Sequence, residues 1–130
     1  MKRIENIESI TKFYPDWKPG DIGFIKLLHW SDEKLSMVLL CQSRSKVAIW
    51  PDRSGPFFEV TLSFEKVTGL KLNFSGSDMQ QVTGLDILDL SADGLEGINF
   101  EIMDDEDGVI NFYCESIRVD KTDSPVYLMD

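Results

Sequence analysis

Hydrophobic and polar residues alternate with a period of two along much of the chain, which is the signature of strands buried on one face. Phe58, Val60, Leu62 and Phe64 share one parity, while Glu59, Thr61, Ser63 and Glu65 share the other. Leu70, Leu72 and Phe74 continue the pattern after a turn near Thr68-Gly69. Farther on, Ile98, Phe100 and Ile102 alternate with Asn99 and Glu101, and Ile110, Phe112 and Cys114 alternate with Asn111 and Tyr113. Pairing Ile102 with Ile110 and Phe100 with Phe112 puts all six apolar residues on one face. That register leaves 104–108 as a type I turn ending on Gly108 in the left-handed conformation.

The remaining pattern is less regular. In 82–90, Leu85 and Ile87 take one parity and Leu88 and Leu90 the other, so a bulge near Ile87-Leu88 is expected. Two apolar-rich segments, 22–30 and 35–42, flank Ser31-Asp32-Glu33-Lys34 and predict a hairpin with a four-residue loop. The second of them is apolar on both parities, as expected of a central strand covered on two faces. Residues 43–56 contain Pro51, Gly55 and Pro56 and predict a long loop with at most a short edge strand. Beyond Cys114 the apolar phase switches to Ile117 and Val119, which implies a bulge or a strand end. Before all of these, Ile4, Ile7, Ile10, Phe13 and Tyr14 fall on one half of a helical wheel, predicting an amphipathic helix over about 3–13 that Pro15 ends. The expected fold is mostly β: an antiparallel sandwich or strongly bent sheet of about seven strands, with one short N-terminal helix, in a single domain over 1–130.

Charge changes the picture more than composition does. The formal net charge is −10, and residues 1–65 contribute nothing to it, because nine acids there meet nine bases. Over 66–130 fourteen acids face four bases, and the interval 72–117 holds eleven acids and no base. Nucleic acid and anionic membrane are disfavoured as direct partners, since both need Lys and Arg to neutralise phosphate. A basic protein suits the excess better. The expected contact residues are Asp86, Asp89, Asp93, Glu96, Asp104, Asp105, Glu106 and Asp107. No membrane-length apolar stretch occurs, and polar Glu5, Asn6 and Glu8 interrupt any signal-peptide reading of the first residues, so a cytoplasmic location is expected. Cys41 and Cys114 both lie in predicted strands among apolar neighbours, where a reduced, buried thiol is the expected state.

Candidate chemistry is sparse. The run Asp104-Asp105-Glu106-Asp107-Gly108 invites calcium, but an EF-hand loop with Gly108 at its sixth position would start on Met103 and end on Cys114, where carboxylates are required. A solvated or partner-binding turn fits better. A turn needs one or two acids, and each further like pair in contact costs about 1 kcal/mol even in water. His29 is the only histidine, so zinc has no ligand set, and neither a nucleophile motif nor a phosphate-binding loop is present. No metal and no cofactor are expected. Trp17, Trp30 and Trp50 either close the ends of the core or form a platform for sugars.

Three segments carry a resemblance: Phe64-Glu65-Lys66-Val67, Val82-Thr83-Gly84-Leu85-Asp86-Ile87 and Phe112-Tyr113-Cys114-Glu115-Ser116-Ile117. Over about residues 57–120 the chain resembles small bacterial β-rich predicted immunity proteins of polymorphic toxin systems, with family fifty of that classification the nearest. The resemblance implies a cytoplasmic β protein without catalysis that neutralises a cognate toxin by binding it. The expected function is therefore non-enzymatic protein binding, with the acidic half of the chain meeting a basic, nuclease-like toxin. A small ligand- or carbohydrate-binding β module using the loop tryptophans is the alternative.

Overall fold

A computed structural model describes residues 3–104 and 108–128. In chain order the elements are α1 (Glu8–Thr11), β1 (Ile22–Ser31), β2 (Lys34–Cys41), β3 (Phe57–Glu65), β4 (Thr68–Leu72), β5 (Gln80–Gln81), β6 (Leu85–Asp89), β7 (Phe100–Asp104), β8 (Ile110–Cys114) and β9 (Ser116–Val126). Strands β5-β1-β2-β3-β9 form one antiparallel sheet and β4-β8-β7-β6 a second. The fold is mostly β, two antiparallel sheets with one short helix, as the alternation predicts. Between the sheets Leu35, Met37, Leu39, Val60, Leu62 and Phe64 meet Ile102, Ile110, Phe112 and Cys114 in a common buried core. Phe64 and Phe112 cross between the layers edge to face, with ring centroids 5.0 Å apart.

The two sheets share one ribbon. β3 pairs with β9 in the larger sheet from Phe57 opposite Val126 to Glu65 opposite Ser116. Immediately afterwards β4 pairs with β8 in the smaller sheet, starting with Thr68 opposite Tyr113. The Glu115 N–H donates to Glu65 O across the junction (2.9 Å), so the ladder runs through the corner. The bend falls on Lys66, a non-glycine residue at φ +55°, whose ammonium reaches Glu115 (3.3 Å). This corner explains the phase switch after Cys114: Cys114 faces the core from the smaller sheet, and Ile117 faces the same core from the larger one.

Four expectations are corrected. The final hairpin pairs Phe100 with Cys114 and Ile102 with Phe112, two residues from the expected register. Asp104 prolongs β7, because its inward carboxylate accepts the Ile110 N–H (2.8 Å). A two-residue shift preserves parity, so Phe100, Ile102, Ile110, Phe112 and Cys114 still face the core, while Ile98 lies before β7 and is partly buried. No bulge interrupts β6: its register with β7 is continuous and Leu88 simply points outward, 46% exposed. The first hairpin turns on Asp32 and Glu33 alone, since Asp32 adopts φ +56° and Ser31 pairs with Lys34. The helix shrinks to one turn, because an edge captures its start. The Glu5 N–H donates to Ile117 O (2.8 Å), the Val119 N–H donates to Glu5 O (2.9 Å), and Asn6 sits at φ +61°. Gly108 adopts the expected left-handed conformation, φ +63°, and the rest of the expected turn, 105–107, lies outside the described residues.

The loop 43–56 has no strand and is pinned by Gln42, a buried amide. Its Nε2 donates to Asp52 O (2.9 Å), its Oε1 accepts the Asp52 N–H (2.7 Å), and its backbone O accepts the Trp50 indole N–H (2.7 Å). Phe112→Ala is expected to lower the unfolding free energy by about 3–5 kcal/mol in urea titrations, the range for a buried Phe that leaves a cavity. At the corner, Lys66→Val should cost upward of about 1 kcal/mol, because a β-branched residue resists positive φ, whereas Lys66→Asn should cost less.

Candidate partner-binding surface

Strand β6 is one edge of the smaller sheet and β4 the other. Asp86 lies opposite Met103, and Leu88 opposite Glu101, on the face turned away from the core. Diagonal neighbours of this kind, such as Asp86 and Glu101, stand about 7–8 Å apart. Asn111 and Tyr113 on β8 extend the face, and all four of Glu101, Met103, Asn111 and Tyr113 are only partly covered. Past β6 the chain turns sharply. Asp89 Oδ1 accepts the Ser91 N–H (2.9 Å), and Gly94 and Gly97 take φ +72° and +73°, leaving Asp93 and Glu96 on an exposed turn. Leu95, 49% exposed, stands between those acids.

Among the residues of β4, β6, β7, β8 and 90–99, only Lys71 is basic, and it lies on β4. Three strand spacings separate β4 from β6, about 14 Å. That exceeds the screening length of about 8 Å at physiological salt, so Lys71 does little to offset the charge at the β6 edge. Arg44 marks the near boundary of the acidic region. Its guanidinium donates to Thr83 O (2.9 Å) and Gly20 O (2.8 Å) and stacks on Trp50 at 3.7 Å.

The structure brings together some of the expected contact residues and separates others. Asp86, Asp89, Asp93 and Glu96 follow one another along β6 and its turn, all exposed. Asp104 is withdrawn, 8% exposed, and serves the end of the hairpin. Asp105, Glu106 and Asp107 lie outside the described residues. They follow Asp104, which pairs with Leu85 at the opposite end of β6 from Asp89, about 13 Å away at strand rise. Period-two reading could have identified Asp104 as inward, since it shares the parity of Phe100 and Ile102. Glu115 is engaged by Lys66 at the corner.

The other candidates are dispersed. Trp17 packs against the core, Trp50 lies partly buried under Arg44, and Trp30 is 53% exposed at the far end of β1. Trp17 lines a small cavity with Tyr14 and Phe58 that Trp30 and Trp50 do not share. His29 is exposed on β1, and no three His, Cys, Asp or Glu side chains among the described residues are placed to hold a metal ion. Burial pushes the Cys41 and Cys114 thiols up to about 12, and both are unpaired. Neither can act as a nucleophile near neutrality, where the thiolate is the reactive form. No helix is long and apolar enough to cross a membrane among the described residues.

Two measurements check these placements. Both thiols should resist a thiol-specific chromogenic reagent at pH 7–8 until the chain unfolds. The sign of the linkage follows: the folded thiols hold their protons above the ordinary value of 9.0. Their contribution to stability is thus complete below about pH 9 and is lost as pH rises toward 12. Asp104→Ala should cost about 1–3 kcal/mol by leaving the Ile110 N–H without its acceptor.

Comparison with known families places this architecture. No curated protein and no solved structure gave a significant match to the chain. A family model described as immunity protein PIM8 matches residues 5–120. The match runs from the Glu5 bridge into the first half of β9, including the region before Phe57 that the resemblance in sequence left out. The class read from the three sequence segments is thus the class of the matching family: the chain belongs to the immunity protein PIM8 family.

Proposed function

We propose that this protein neutralises a cognate toxin by binding it, without catalysis, through the acidic edge formed by β6 and the turn that follows. The partner is a basic protein, and a nuclease is the class whose phosphate-binding surface would best complement this charge. Asp86, Asp89, Asp93 and Glu96 supply the field, and Leu88 and Leu95 are apolar contacts set among them. Apolar anchors ringed by charge suit a protein interface, in which buried contacts hold the complex and peripheral charges set the rate of encounter. The observation that carries the reading is the distance of about 14 Å between this edge and Lys71, the one basic residue of its sheet. Asp105, Glu106 and Asp107, which lie outside the described residues, belong to the same proposed contact. A cytoplasmic location, a single domain over 1–130 and the absence of any nucleic-acid or membrane contact belong to the same reading.

Co-expression with the product of the adjacent gene tests the class: the chain should rescue growth from that product's toxicity. The surface is tested by the fourfold variant Asp86→Asn, Asp89→Asn, Asp93→Asn and Glu96→Gln. It should associate with the toxin about tenfold or more slowly at low salt and lose most of the salt dependence, with dissociation changed less. Association rates indifferent to both salt and the four substitutions would reject the electrostatic surface.

A further inference from the structure

β1 is ten residues long, but its outer neighbour β5 pairs only with Phe24 and Ile25. Residues 27–31 of β1 have strand partners only in β2 among the described residues, and Lys26 sits at a bulge in that register, so the other backbone edge of this stretch is open. The reason lies in the loop before β5. Gln80 Oε1 accepts the N–H groups of Ser75 (2.7 Å) and Gly76 (2.9 Å), which folds 75–80 into a compact loop in place of a longer strand. Gly76 lies so close to Met79 O that a Cβ there would overlap it, which keeps this turn tight. An open edge of this length is a ready template for another strand, because its N–H and C=O groups lack protein partners.

A groove runs beside the open edge. Leu27, Leu28, Leu72, Phe74, Met79 and the Gly76 backbone line it. Leu27, Leu72 and Phe74 are 54%, 43% and 39% exposed, so apolar side chains that a core would normally cover are gathered at one place. Strand addition uses these two features together: main-chain hydrogen bonds along an edge, and pockets for alternate side chains beside it. The charged lining residues are Lys26 and Asp78. Lys26 is paired with Glu59 across the outer face (3.0 Å), which leaves Asp78 to give the groove a negative sign.

We propose that the open edge of β1, residues 26–31, takes an extended basic segment of the toxin as an added strand, with alternate apolar side chains seated against Leu27, Leu72 and Phe74. This rests on the toxin-binding reading for the identity of the occupant, but it concerns a surface separate from the β6 edge. A second copy of the chain is the poorer occupant, since each copy carries a net charge of −10 and like-charged copies repel.

Hydrogen exchange of the full chain, read by mass spectrometry, tests the proposal with two probes. One is the purified, catalytically inactivated product of the adjacent gene, and the other is a blocked seven-residue peptide of alternating Lys and Val. Amides within 26–31 are expected to exchange at least tenfold more slowly with either probe, and Leu72→Asp with Phe74→Asp should abolish that protection while leaving the free chain's exchange elsewhere unchanged. A complex with the gene product that protects β6 and leaves 26–31 exchanging at the free rate overturns the proposal while the toxin-binding reading stands. If the gene product does not bind, the toxin reading fails and the peptide decides the edge: protection at 26–31 keeps it as a strand acceptor, and its absence removes it. Protection of 26–31 that grows with the concentration of the chain alone makes a second copy the occupant and overturns the assignment.

Discussion

The antiparallel ladder that runs from β3–β9 into β4–β8 without a break at the corner is the constraint on which the rest of the molecule depends. A sheet can pass into a second layer only if its backbone groups stay paired through the bend, because unpaired buried N–H and C=O groups are costly. Here the Glu65–Glu115 hydrogen bond carries the pairing across, Lys66 absorbs the turn at positive φ, and the Lys66–Glu115 ion pair spans the outside of the bend. That ion pair is mostly solvent-exposed, so its contribution to stability is small, and the ladder and the core beneath it do most of the holding. Once the ribbon is bent, Phe64 and Phe112 face each other, and the core closes between the two layers.

Bending one ribbon into two sheets leaves four edges, and the molecule treats them differently. β9 is partly covered by Glu5, which explains why the N-terminal segment gives up helix for a bridge. β6 carries acids on its own strand and its following turn, and charged residues keep an edge from pairing indiscriminately. The same charges that discourage self-association would favour the basic partner proposed above. β1 is shielded along residues 23–25 by β5 and the Val82 N–H, with Lys26 at the start of its open stretch.

Outside the sheets, order comes from a few polar side chains used as pins. Gln42 holds 43–56 through four hydrogen bonds around one buried amide and its carbonyl, and Arg44 ties that loop to Gly20, Thr83 and Trp50. Each such pin satisfies buried polar groups that loop residues would otherwise leave unpaired, which is why a loop rich in Pro and Gly can hold one shape. The Gln42 contacts stay within about fourteen residues of chain while Arg44 reaches Gly20 and Thr83, and no periodicity announces either.

What the sequence determined by itself was most of the inward positions, although Leu72 and Phe74, which continue the apolar parity in sequence, are exposed. Parity placed Phe58, Val60, Leu62, Phe64, Phe100, Ile102, Ile110 and Phe112 against the core, because side chains alternate along any strand whatever its neighbour is. Parity is blind to shifts of two, so the register of the last hairpin was decided by Asp104 reaching Ile110, a contact that exists only once both strands are in place. The immunity class was also legible, in short strand segments of the second half. The acidic excess was plain as a count, but its distribution was not. Tertiary structure turned Asp104 inward, spent Glu115 at the corner, and lined up Asp86, Asp89, Asp93 and Glu96 on one edge far from Lys71. Charge is read along the chain, but its field acts through space, and only the order of strands in a sheet converts one into the other.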